Sequence, residues 1–241
     1  MKTFLFILIV IASGASSGLI LGGANIVFVE PYLDQATGIE NQHLFATGEE
    51  KDTPEFQIKY DGYRTWQKSG QMLAGGILGI SFGSLFGIIF ALSRNSLPGK
   101  TDIKKALVLA GIMWLTIYFI PFLKYPANPP TVGDPETVVL RGILYLSFIA
   151  ISGFGAVRFY KLSQKLKTKK LITVAGYAAF IVIVFIVMPE NPDQITTPMD
   201  LVNHFRIMSA LTISLFWLSL GLILGSLWMH FKPHKEITSF S

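Results

Sequence analysis

Six apolar runs, each long enough to cross a bilayer, most limit what this chain can fold into. A transmembrane helix needs roughly 17–25 predominantly apolar residues in succession. Only 15% of the residues are charged, whereas a soluble domain carries about a quarter. The sequence therefore predicts an all-α, polytopic membrane protein with one transmembrane domain over residues 1–241. The predicted spans are Phe4–Val29, Gln71–Leu92, Lys105–Phe122, Val138–Phe159, Leu171–Met188 and Ile207–Met229.

The charges of the connecting segments predict an orientation. If the N-terminus is cytoplasmic, the inner side carries 13 of the 20 basic residues and 2 of the 15 acids. The outer side then carries the other 7 basic residues and 13 acids. This bias follows the positive-inside rule, so we expect three helical hairpins in the cell membrane with both termini inside. The basic run Lys161–Lys170 is expected to contact anionic lipid headgroups rather than nucleic acid.

The first apolar run has two interpretations. Its beginning, FLFILIVIASGA, resembles a signal peptide, because the small residues Ser13 and Ala15 stand at cleavage-like spacing. The apolar character continues through LILGGANIVFV to Glu30, however, which exceeds the apolar core of a signal peptide. The length favours an uncleaved membrane span.

The largest polar segment, residues 30–69, is predicted to be an outer loop that contains a surface helix. Phe56, Tyr60, Tyr63 and Trp66 follow one another at steps of four, three and three, which places their rings on one helical face. An amphipathic helix at the membrane interface has this pattern. The alternative is an ordinary belt of interfacial aromatic residues with no further role.

The proline-rich segment 123–137 is predicted to be a stiff outer cap. Pro121 should kink or end the third span, and each later proline fixes its own backbone angle. Asp134 has the features of an N-cap, followed by Pro135 as the first helical residue and Glu136 in the first turn. The cap residues expected to hold a structural or gating position are Asn128, Pro129, Pro130 and Gly133.

An internal repeat of three hairpins is suggested by one arginine before each even-numbered span, namely Arg64, Arg141 and Arg206. The alternative is that every outer segment needs a proline and a basic anchor. Glycines recur at matching offsets or four residues apart, and in lipid such small residues let helices approach closely. The glycines predicted to pack helices are Gly14, Gly18, Gly22, Gly79, Gly83, Gly87, Gly221 and Gly225.

The predicted spans hold no ionisable residue at their centres, which argues against a proton relay or a voltage sensor. Asn25 is the nearest polar group and serves either an interhelical hydrogen bond or transport. The outer segments contain acids and histidines that could form a loose divalent-cation site, since carboxylate with imidazole suits cobalt, nickel or zinc. Solvated loop acids are the alternative. The candidate ligands are Glu30, His43, Asp134, Glu136 and His204, with Asp34 and Asp200 near them in sequence.

Other chemistry is excluded or lacks a motif. The chain has no cysteine, which rules out thiolate metal sites and cysteine nucleophiles. The sequence also has no phosphate-binding loop ending in Gly-Lys and no nucleophile motif around its serines. We therefore expect no catalytic residues, no resident cofactor and no ATP-driven motor in this chain.

Three stretches, DGYRTWQKSGQMLAGG, LKYPANPPTVGDPETVVLR and FRIMSALTISLFWLSLGLILG, resemble the CbtA family of probable cobalt transporter subunits. The likeness covers nearly the whole chain. It implies a multi-pass subunit that supplies Co²⁺ for cobalamin synthesis, together with a small single-span CbtB subunit whose tail carries histidines. A rival hypothesis is a structural or assembly subunit of a larger membrane complex, such as a metalloenzyme.

Overall fold

All secondary structure in the described part of the chain is helical. The computed structural model describes residues 3–130, 132–167 and 169–234, and no β-strand occurs in these ranges. Within these ranges six helices are long and apolar enough to span a membrane, which confirms the all-helical class and the six candidate spans, while the hairpin arrangement and the orientation stay predictions. These helices are Thr3–Phe28, Pro54–Ser93, Asp102–Lys124, Pro135–Leu166, Lys170–Val187 and Met199–Phe231.

The individual elements are labelled in chain order. They are α1 (Thr3–Phe28), α2 (Glu30–Thr47), α3 (Pro54–Ser93), α4 (Asp102–Met113), the π-helical segment Trp114–Phe119, α5 (Ile120–Lys124), the 3₁₀ turn Pro135–Thr137, α6 (Val138–Leu166), α7 (Lys170–Val187) and α8 (Met199–Phe231).

Segment 30–69 is mostly helical. Helix α2 begins directly after α1, and α3 runs for 40 residues from Pro54 through the second span without interruption. The side chain of Thr53 caps α3 by accepting the Phe56 N–H at 3.2 Å, and Pro54 occupies the position that tolerates a missing N–H. The predicted surface helix is therefore the N-terminal part of α3, and its depth in a membrane stays a prediction.

The third span passes through Pro121 and ends at Lys124. Proline cannot donate a backbone hydrogen bond, and its ring crowds the preceding turn of an α-helix. Here the preceding six residues, Trp114–Phe119, are π-helical, and the Ile120 N–H donates to the carbonyl of Leu115, five residues back. The wider turn accommodates the proline ring, so the span continues to Lys124 instead of ending at Pro121, and a kink there stays a prediction.

The chain divides into two compact units. One comprises the chain up to Ile112 together with the part from Ile207 onward, and the other comprises Met113–Arg206.

In the first unit α1 packs on α3 through facing glycines. A Cβ placed on Gly83 would lie 2.6 Å from the Cα of Gly14, so the two backbones are in direct contact. The four-residue glycine spacing predicts close packing of these helices on each other or on a partner, and here the glycines of α1 and α3 lie against each other.

Helix α8 in the first unit uses its glycines against the start of the third span. A Cβ on Gly225 would lie 2.7 Å from the Cα of Ile103, and one on Gly221 would lie 2.9 Å from the Cβ of Ala110. The buried rings of Phe90 and Trp228 also meet in this unit, with centroids 5.0 Å apart. Gly221 and Gly225 stand at the same offsets in the proposed repeat as Gly79 and Gly83, and both pairs make close helix contacts. The pair on α8 contacts the third span, whereas the pair on α3 contacts the first.

In the second unit α6 packs on α7 and on the π-helical segment. Tyr125, Leu144 and Phe148 form its buried cluster. The hydroxyl groups of Ser152 on α6 and Tyr177 on α7 share a hydrogen bond of 2.8 Å within this otherwise apolar interface. Such a bond satisfies polar groups that have no water to bind inside a membrane.

Candidate functional site

Arg64 is the centre of a buried ion-pair group in the first unit. Its Nη2 donates to Oε2 of Glu30 at 2.5 Å and to Oδ1 of Asp34 at 2.8 Å. Lys68 donates to the other oxygen of Asp34 at 2.8 Å. Glu30 and Arg64 are only 3% and 7% exposed. We call these four residues, Glu30, Asp34, Arg64 and Lys68, the Arg64 cluster.

The helical geometry of α2 and α3 explains the Arg64 cluster. Glu30 and Asp34 lie four residues apart on α2, as Arg64 and Lys68 do on α3, so each pair shares one helical face. Two carboxylates therefore meet two cations, and the group carries no net charge. The second oxygen of Glu30 also accepts a hydrogen bond from Gln71. Glu30 consequently lies inside an ion-pair network rather than open to a hydrated cation.

The stability of the Arg64 cluster should depend on pH through Asp34. Burial raises the pKa of Asp34, but hydrogen bonds from Lys68 and Arg64 outweigh it, so the pKa is below its ordinary value. A carboxylate with a depressed folded-state pKa stabilises the fold above its unfolded pKa of about 3.9 and loses that contribution as the pH falls through the folded value. Thermal unfolding should therefore show wild type more stable than Asp34→Asn at pH 7, with the difference shrinking below about pH 4. A constant difference between pH 7 and pH 3 would contradict this role.

In the second unit Arg141 and Arg206 each bind a segment that connects two long helices. Arg141, just after the cap, pairs through Nε with Oδ2 of Asp193, beyond the fifth span, at 2.7 Å. Arg206, in the N-terminal part of α8, donates through Nη2 to Oδ1 of Asn128 in the cap at 2.7 Å. The Asp193 side chain is only 1% exposed, and the Thr137 hydroxyl donates to its Oδ1 at 2.6 Å. The cap is therefore bound to the segment around Asp193 through Thr137, and to α8 through the Arg206–Asn128 hydrogen bond.

The predicted N-cap at Asp134 is confirmed. Its Oδ1 accepts the Glu136 N–H at 2.8 Å, and Pro135 starts a 3₁₀ turn that leads directly into α6. Gly133 has φ +111°, a value that favours glycine, and a Cβ there would lie 2.7 Å from Nη1 of Arg141. Within the cap Pro129 is fully buried, whereas Pro130 is exposed. The glycine thus lets the cap turn tightly over Arg141.

The structure does not gather the predicted metal ligands. His43, Asp134, Glu136 and His204 are each exposed, and Glu30 is ion-paired. In ranges 3–130, 132–167 and 169–234, no three His, Asp or Glu residues form a group that could hold a metal ion. A cation site built from these residues therefore stays a prediction.

Sequence reasoning missed Asp193, which is the buried partner of Arg141. Its only sequence signal is its place beside prolines in the outer segment MPENPDQ, a feature shared with other outer acids. Asn25 was singled out instead. Asn25 is half-buried, and its backbone carbonyl accepts the Val29 N–H at 2.9 Å. The proposed interhelical role of its side chain stays a prediction.

The six long apolar helices define the class: this is an all-helical, polytopic membrane protein. Within that class, residues 4–229 match the family described as "Probable cobalt transporter subunit (CbtA)". The chain belongs to the CbtA family, as the resemblance of its three conspicuous stretches indicated. Comparison with curated proteins and with solved structures gave no match.

Proposed function

We propose that this chain is the multi-pass membrane subunit of a cobalt transporter in the cell membrane. The observation that carries the proposal is the family match over residues 4–229, nearly the whole chain, together with six helices able to span a bilayer. Co²⁺ is the substrate in this proposal, and the subunit has no catalytic role of its own.

A small, single-span CbtB-like subunit is proposed to supply the imidazole ligands that select the ion. The chain has only four histidines, and His43 and His204 are both exposed. The exposed side chains of Asp134 and Glu136 add negative charge without being ion-paired within the described residues. We propose that Asp134, Glu136 and His204 of the second unit attract the hydrated ion, that His43 of the first unit does so independently, and that Glu30 acts structurally inside the Arg64 cluster.

Cobalt uptake tests this function. Proteoliposomes containing the chain with the CbtB-like subunit should accumulate radioactive cobalt, and those lacking either protein should not. Glu136→Gln and His204→Gln should lower uptake several-fold at low cobalt concentration, because each removes a ligand or charge from the proposed collecting surface. Glu40→Gln, which alters another exposed acid, is the matched control. No cobalt-dependent accumulation with both subunits present would refute the transport proposal.

The proposed orientation places both termini in the cytoplasm. The natural chain has no cysteine, so single cysteines can be introduced without a background signal. Glu50→Cys should react with a membrane-impermeant maleimide in intact cells, whereas Lys165→Cys should react only after permeabilisation. Both positions are exposed, so accessibility to the reagent reports the side of the membrane. The reverse labelling pattern would invert the proposed topology.

A structural or assembly subunit of a larger membrane complex is the second candidate. It is favoured by α7, because none of the 18 residues of this apolar helix is buried within the described chain. A partner subunit could cover that surface. Stable co-purification with enzyme subunits in mild detergent, combined with normal cobalt uptake in a deletion strain, would support this candidate over the transporter.

A further inference from the structure

A cavity of about 350 Å³ in the second unit has a lining that neither the family match nor the proposed function explains. It lies among the end of the third span, the cap and α6. Its walls combine aromatic rings with the side chains of Asn128, Arg141 and Asn191. Ligand pockets typically enclose about 300–1,000 Å³ and pair apolar walls with a few polar groups, so this cavity suits a small organic molecule.

Both asparagines line the cavity, and each has its amide oxygen already hydrogen-bonded. Oδ1 of Asn128 accepts two hydrogen bonds from Arg206, and Oδ1 of Asn191 accepts the backbone N–H of Asp193 at 3.1 Å. A guanidinium and a backbone N–H can only donate, so these partners fix which amide atom is the oxygen. Neither amide nitrogen donates a hydrogen bond within the ranges that the structure describes, and the cavity therefore offers donors rather than acceptors.

Arg141 adds a further donor and a positive charge. Its Nε and Nη2 bind Thr137, Asp193 and the carbonyl of Asp134, whereas Nη1 makes no hydrogen bond to a described residue. Among the side chains that bind Arg141 and Arg206, only Asp193 is negatively charged. The two guanidinium groups of Arg141 and Arg206 are thus paired with only one carboxylate, and an anionic ligand would supply a second negative charge.

The hydroxyl group of Tyr118 is a second, independent indication that this cavity binds a ligand. Tyr118 lines the cavity and is only 9% exposed, and its hydroxyl has no hydrogen-bond partner in the described part of the chain. Buried hydroxyl groups normally find partners, because leaving one unpaired is costly. Tyr118 also belongs to the π-helical segment, a distortion that occurs frequently at functional sites.

We propose that this cavity is a binding site for a small, ring-bearing organic carboxylate. The carboxylate would accept hydrogen bonds from Arg141, Asn191 and Tyr118, and its ring would pack on the aromatic wall. No Asp or Glu lines the cavity, so it does not suit a bare divalent cation. This site goes beyond cobalt transport and does not depend on it.

The test uses benzoate and the purified full-length protein in mild detergent, followed by calorimetry. Benzoate should bind saturably at one site. Benzamide has the same ring but no charge, and benzylamine carries the opposite charge. We expect benzamide to bind at least about tenfold more weakly, and we expect no binding of benzylamine. Inorganic phosphate should bind more weakly than benzoate, because it lacks the ring.

Three variants locate the site. Asn191→Asp keeps an oxygen for the Asp193 N–H but replaces the free amide donor with negative charge, and should weaken benzoate binding more than about tenfold. Tyr118→Phe removes one hydroxyl donor and should weaken it about three- to tenfold while the protein stays folded. Tyr177→Phe removes a half-buried hydroxyl that binds Ser152 outside the cavity, and should leave benzoate affinity unchanged.

Two results would overturn the proposal: no saturable benzoate binding by the folded wild-type protein up to about 10 mM, or unchanged affinity in Tyr118→Phe. If Asn191→Asp does not fold, Tyr118→Phe and its Tyr177→Phe control decide the question alone. Repeating the benzoate titration with cobalt present should leave the affinity unchanged. Because the readout is binding to the purified chain, a failure of cobalt uptake would not affect this result.

Discussion

Replacing Gly79 by alanine should lower the stability of the folded protein by about 3 kcal/mol, at the upper end of the usual cost of overpacking. A Cβ on Gly79 would lie 2.6 Å from the Cα of Gly18 and 2.8 Å from its backbone nitrogen. These neighbours are backbone atoms of α1, which cannot rotate away as a side chain can. The added methyl group therefore forces α1 and α3 apart along their glycine contact, and the neighbouring contacts weaken as well.

Gly76→Ala is the matched control for this prediction. It makes the same chemical change on α3, but the nearest atom to the new Cβ would be Cδ2 of Leu19 at 4.0 Å. Because alanine has the higher helix propensity, Gly76→Ala should be neutral or stabilising by up to about 1 kcal/mol. Both variants can be compared by chemical unfolding in the same detergent. Equal losses of stability in the two variants would show that the close approach of α1 and α3 does not control stability.

The glycine spacing on α1 and α3 predicts that each helix packs closely, but leaves open whether they pack on each other or on a partner. In the structure the glycines of the two helices lie against each other. Gly221 and Gly225 carry the same signal, but their partners are Ala106, Ala110 and Ile103, which show no matching glycine pattern. The glycine spacing therefore indicated that α8 contributes small residues to a helix interface, but it did not indicate that the third span is the partner.

The sequence indicates several of the polar residues in this site, but not which of them bind one another. The repeat indicates Arg64. Its partners are not evident from the sequence, because a helix is predicted only in the second half of segment 30–69 and not over Glu30 and Asp34. Only the helical register of α2 brings Glu30 and Asp34 onto one face toward Arg64. Asp193 was missed for a related reason: many acids of the connecting segments look alike in sequence, and burial of the ion pair depends on the folded path of two such segments.

Replacing Arg64 by leucine should destabilise the protein by about 3–5 kcal/mol, because it leaves the buried carboxylate of Glu30 without a cation. The alternative role for Arg64, simple filling of space by its aliphatic chain, predicts a much smaller loss, since leucine retains most of the apolar contact. Asp34 would keep Lys68 as its partner. Chemical unfolding in mild detergent measures the difference.

The double variant Glu30→Leu/Arg64→Leu separates the two roles of Arg64. Removing both charges leaves no unpaired buried ion, so most of the stability lost in Arg64→Leu should return. Lys68→Leu provides the control, because Lys68 and Asp34 are 39% and 45% exposed in their side chains and solvent screens such pairs to about 0–1 kcal/mol. A double variant as unstable as the sum of the single variants would contradict electrostatic coupling. Recovery in the double variant, with little effect of Lys68→Leu, would instead show that the buried Glu30–Arg64 pair fixes how α2 and α3 join, rather than collecting an ion.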